Sequence, residues 1–167
     1  MWKVTLPGRP RAAALLVPVV VWACAKPPAQ PIDAAARAAA EWAATTEVLR
    51  IAVEHSWAGK MLRLACVDGF SQAVLPAESL VVLGTPLQVT KDLQQCQRDS
   101  SSFLFSASGH KPAVLVVLRS TKRGDQAGVA VVAGEWFESG TSAEDFICTV
   151  PVTPSKAKAS CEITGTA

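Results

Sequence analysis

The chain has 167 residues with 16 basic and 14 acidic side chains, and half of its residues are hydrophobic. That length suits one domain with a real core, and the composition excludes a fibrous or low-complexity chain. A net charge of +2 gives no electrostatic footprint for nucleic acid, so no nucleic-acid partner is expected.

Residues 1–11 carry Lys3, Arg9 and Arg11 and no acid, and the 12 residues that follow, AAALLVPVVVWA, carry no charge. A basic head before a short apolar core is the layout of a secretory signal peptide. The core is shorter than the roughly 20 residues that cross a bilayer, and Pro18 would remove a helix hydrogen bond. Removing the three basic residues leaves 13 basic against 14 acidic groups, a net −1.

The stretch Val21-Trp22-Ala23-Cys24 resembles the lipobox of bacterial lipoprotein precursors, in which a small residue precedes the cysteine that is lipidated. Val21 and Ala23 suit that pattern, whereas Trp22 departs from it. The resemblance implies that Cys24 carries palmitate and other lipid, and that the protein is held to a membrane of the bacterial cell envelope, facing the periplasm or the exterior. Two alternatives stand beside it. Ala23-Cys24-Ala25 is an A-x-A site for ordinary secretion, and an uncleaved anchor is the third outcome. The expected organisation is a signal peptide over 1–23, a proline-rich tether over 24–32 and one domain over 33–167.

At Asp33 the composition switches to an alanine-rich run. Asp33 suits an N-cap, alanine is the strongest helix former and Gly59 a stop, which predicts one helix over 33–57, or two broken near Thr45 and Thr46. Its first three turns are nearly all alanine, the pattern of a frayed stalk as much as of a packed element. Strands are expected over 60–67 and 79–84. Thr85 as a cap, Pro86 at the first turn and the spacing of Val89, Leu93 and Cys96 predict a second helix over 85–99. Residues 101–106 read as a brief strand.

The C-terminal half reads as strands. Ala113–Leu118 and Ala127–Ala133 are apolar on both faces and flank a turn at Gly124-Asp125, and two more strands are expected over 146–150 and 160–164. The expected fold class is therefore α+β: an N-terminal helix packed on a mostly antiparallel meander and stabilised by disulfides. The layout is similar to cone-shaped α+β folds such as nuclear-transport-factor-like or cystatin-like domains, in which a helix lies over a curved sheet.

Four cysteines fall within this domain, and such cysteines tend to pair in an oxidising compartment. A hairpin folding between Pro154 and Ser155 would place Cys148 opposite Cys161, Val150 opposite Ala159 and Val152 opposite Ala157, close enough for a disulfide. Cys66 and Cys96 then pair by elimination. No C-x-x-C occurs, and the wide spacing disfavours a structural zinc site.

No motif for catalysis, metal or cofactor is present. His55 fits a helix C-terminus, where the dipole favours it, and His110 falls in a loop. Glu54 with Asp68, or Glu135 with Glu138, could be drawn as acid–base pairs, but nothing in their spacing brings them together. Trp42 and Trp57 fall on the predicted helix and Trp136 on a strand. The functional expectation is a non-enzymatic binding or interaction module of the envelope. Alternatives are a secreted hydrolase using Glu54, His55 or Asp68, and a carrier with an apolar pocket between helix and sheet.

Overall fold

The computed structural model describes residues 31–98, 103–139, 143–152 and 158–166. The expectations for the signal peptide, Cys24, most of the tether and the hairpin tip around Ala157 lie outside the described residues.

One helix, α1 (Ala34–His55), opens the described chain. Asp33 caps it by accepting a 2.7 Å hydrogen bond from the Ala36 amide, and Ser56 leaves it in an extended conformation. It does not break at the threonines. Thr45 Oγ1 and Thr46 Oγ1 donate back to the Glu41 and Trp42 carbonyls at 2.8 and 2.9 Å, which satisfies both hydroxyls within the helix. The alanine-rich first turns are packed rather than frayed, since Ala38, Ala40 and Ala44 are buried.

Among the described residues nine strands follow: β1 (Leu64–Asp68), β2 (Ser79–Val82), β3 (Thr85–Thr90), β4 (Cys96–Arg98), β5 (Leu104–Ser106), β6 (Ala113–Arg123), β7 (Val129–Phe137), β8 (Ala143–Pro151) and β9 (Ser160–Thr166). Seven form one sheet in the order β2-β3-β1-β6-β7-β8-β9, and β4 with β5 forms a separate ribbon. From β6 to β9 the sheet is an antiparallel meander. The other half is not. β1 runs parallel to both β3 and β6, so the sheet is mixed. Parallel neighbours need a crossover, and the β4–β5 ribbon is part of the one that leads from β3 to β6.

The expected second helix over 85–99 is instead β3, a 3-10 turn at Leu93–Gln95 and β4. Pro86 is tolerated in a strand because of where its missing donor would point. The Val89 amide bonds toward β2, at Glu78, and the Gln88 amide toward the β1 side, at Arg63. By that alternation the nitrogen of Pro86 faces the β1 side, two positions before β1 begins.

The two faces of the sheet are covered unequally. α1 lies on one face, over Ala65 and Val67 of β1, Val114 and Val116 of β6, Val132 of β7, and Phe146 and Val150 of β8. The opposite side chains of β1 and β6, Leu64, Cys66 and Ala113, are closed off by Leu104 of the ribbon. The disulfide Cys66–Cys96 ties β1 to that ribbon, and Cys148–Cys161 joins directly opposed residues of β8 and β9. Two such bonds belong to an oxidising, non-cytoplasmic environment. Among the described residues no helix is long and apolar enough to cross a membrane.

Candidate functional site

In the first half of α1 the positions turned away from the sheet are small and apolar. Ala35, Ala39 and Ala43 form, with Trp42, one wall of a groove of about 880 Å³ along the first half of α1. Pro76 borders it from the segment after β1, and Pro151, Val152 and Ala159 border it from the ends of β8 and β9. The interface between α1 and the sheet is filled by Val48, Leu49, Ala52 and their strand partners. The groove therefore lies along the outer side of the helix and reaches the ends of β8 and β9.

The polar groups around the groove are mostly engaged elsewhere. The Asp33 carboxylate caps the helix, the Thr46 hydroxyl bonds the Trp42 carbonyl and Glu47 pairs with Arg50 at 2.9 Å. Lys158 stands exposed at the rim. The walls thus offer contact area and almost no directional recognition, which is how apolar matter is bound.

The Pro76 side is held in place by three contacts. The Phe70 ring meets Trp42 edge-on at 6.3 Å between centroids. Lys91 Nζ donates to the carbonyls of Phe70 and Gln72. Glu41, only 3 % exposed, accepts a 2.8 Å hydrogen bond from the Ser71 amide and a 2.9 Å bond from the Thr121 hydroxyl. Thr121 reaches the helix face because the β-bulge at Arg119 shifts β6 against β7. Sequence reasoning passed over Glu41. The available signal was its position three, four and seven residues before Ala44, Thr45 and Val48, on the core side of the helix.

The candidate catalytic groups do not converge. Glu54 and His55 are exposed at the helix C-terminus, with 3.9 Å between Oε2 and Nε2, and Glu54 also pairs with Arg50. Asp68 ends β1 and bonds the Gly69 amide. The segment just beyond it meets Glu41 at Ser71, 14 residues and about 20 Å along the helix from His55. Glu135 of β7 pairs with Arg119 of β6, while Glu138, past the end of β7, accepts from the Trp57 amide at 3.1 Å. Burial raises the Glu138 pKa from its ordinary value, the nearby Glu144 adds to the shift, and hydrogen bonds from Trp57 and Ser56 oppose it. His110 is exposed in the turn before β6, with a positive φ. Among the described residues no three His, Cys, Asp or Glu side chains are grouped to hold a metal ion.

The three tryptophans among the described residues separate. Trp42 lines the groove, Trp136 is buried under α1, and Trp57, beyond the C-terminal end of α1, meets the Phe103 ring at a tilt of 56° with 4.6 Å between centroids. Comparison with protein-family models, with characterised proteins and with solved structures finds no match to this chain.

Proposed function

We propose that the protein is an envelope-associated lipoprotein acting as a non-enzymatic binding module, anchored through Cys24 and binding apolar matter in the groove on the outer side of α1. The observation that carries the binding reading is the groove itself. About 880 Å³ of space is walled mainly by alanine, proline, valine and tryptophan, in a domain whose acids and histidines are scattered over different ends of the fold. The disulfides support export, and the lipobox-like Val21-Trp22-Ala23-Cys24 supports the anchor.

The binding half is tested with N-phenyl-1-naphthylamine, whose fluorescence rises in apolar sites. The protein should bind it saturably, and Ala39→Phe, a substitution at an exposed position, should abolish binding without lowering the melting temperature. Equal binding by both proteins would move the site elsewhere. The anchor half is tested by radioactive palmitate, which should label the wild type and not Cys24→Ser. An N-terminus at Lys26 would instead establish ordinary secretion.

A further inference from the structure

β2 and β3 join through Leu83 and Gly84, both with positive φ, 49° and 79°. With Val82 paired to Thr85, this is a two-residue hairpin of the type I′ kind, whose first position strongly favours Asn, Asp or Gly. A leucine there is strained, and its side chain gains no burial in return, being 52 % exposed. The next outward residue, Val81, is 77 % exposed and opposes the exposed Pro86. The Gln88 amide donates to the Arg63 carbonyl at 2.9 Å, so the 3-10 turn at Gly59–Met61, with Met61 56 % exposed, lies just ahead of β1 on the side of the sheet that carries the hairpin.

The charged side chains within the two segments that build this end are all basic, although Glu138 reaches in to accept from the Trp57 amide. Lys60 and Arg63 flank Met61, both exposed, and neither makes an ion pair among the described residues. Neither 56–67 nor 79–90 contains an acid. β2 is the outer strand of the sheet, so the tip projects from the molecule's edge.

From this we infer that the β2–β3 tip and the adjoining turn at residues 59–61 form a lipid-binding edge. Leu83, Val81 and Met61 enter the interfacial region of a bilayer, and Lys60 and Arg63 meet anionic headgroups. Shallow burial of aliphatic side chains combined with attraction to anionic lipid is the physics of peripheral membrane binding. A lipid surface needs no directional partner, which matches the aliphatic side chains exposed at Val81, Leu83 and Met61. The inference is independent of the groove.

The test compares full chains that all carry Cys24→Ser, so that no attached lipid contributes, with vesicles of phosphatidylcholine with and without phosphatidylglycerol. The parent should partition onto vesicles and prefer those with phosphatidylglycerol. Leu83→Asn creates the favoured Asn-Gly turn, so it should raise the melting temperature while weakening vesicle binding about tenfold, the loss expected for one aliphatic side chain. Met61→Ser should weaken binding by a similar factor, and Lys60→Ala with Arg63→Ala should erase the preference for phosphatidylglycerol. A parent that does not partition, or unchanged partition in both Leu83→Asn and Met61→Ser, overturns the inference. So does loss of a protein partner on Leu83→Asn in a chain indifferent to vesicles.

Discussion

Glu41 and Thr121, 80 residues apart, are joined by a 2.9 Å hydrogen bond that fastens α1 to the bulged end of β6. The other oxygen of the same carboxylate takes the Ser71 amide, so one side chain fixes helix, sheet and the segment leading to the groove's Pro76 side. Glu41→Ala leaves those donors without their partner in a partly buried place, a loss of about 1–3 kcal/mol. Glu41→Gln keeps an acceptor and should lose less. Urea unfolding of the three proteins gives the order, and equal midpoints would show the junction to be unimportant.

Glu138 predicts a pH effect. Its folded pKa is raised, chiefly by burial, so folding favours the protonated form. The stabilisation it lends is complete below the ordinary glutamate range and is lost as pH rises through its raised folded value. Glu138→Gln keeps an acceptor for the Trp57 amide and carries no charge. It should match the wild type in acid and gain on it toward neutral pH. A constant difference across the titration would rule out this account of Glu138.

The two disulfides close loops with sequence separations of 30 and 13 residues. In the chain-entropy picture each stabilises by about 3–4 kcal/mol. Their loss should differ in kind. Cys66→Ser with Cys96→Ser frees the β4–β5 ribbon from β1, so hydrogen exchange should rise over 96–106 first. Cys148→Ser with Cys161→Ser should loosen the β8–β9 edge. Non-reducing peptide maps should link Cys66 to Cys96 and Cys148 to Cys161, and a Cys66–Cys148 peptide would contradict the sheet order.

Gly134 lies opposite Phe146 on the helix-facing side of β7 and β8, with the ring across it. A Cβ there would sit 2.1 Å from the Val117 carbonyl oxygen and 2.7 Å from Phe146 Cζ. Gly134→Ala should therefore destabilise by about 1–3 kcal/mol through backbone displacement, although alanine suits strands no worse than glycine. A neutral effect in thermal unfolding would mean that the strand can shift at no expense.

Local signals were readable and long-range ones were not. Asp33 and the alanine run identify α1, and the apolar runs at 113–118 and 127–133 identify the central hairpin, because each rests on neighbours in sequence. Thr85 and Pro86 imitate a helix start because the same residues suit a strand whose neighbour begins two positions later, a fact of register that no local pattern carries. The parallel pairing of β1 is equally non-local. The hairpin at Leu83-Gly84 is hidden because a leucine occupies a position where turn chemistry favours Asn or Asp. At the candidate site, Trp42 was visible as a helical aromatic, whereas the groove required knowing which face of α1 meets the sheet.

The most direct test of a binding groove on α1 is energy transfer from Trp42 to bound N-phenyl-1-naphthylamine. Trp42 lines the groove, whereas Trp57 stands beyond the helix's other end and Trp136 is buried under it. Excitation of tryptophan should give saturable sensitised emission that falls sharply in Trp42→Phe and persists in Trp57→Phe. Emission that survives Trp42→Phe unchanged, or never saturates, would contradict the proposed site.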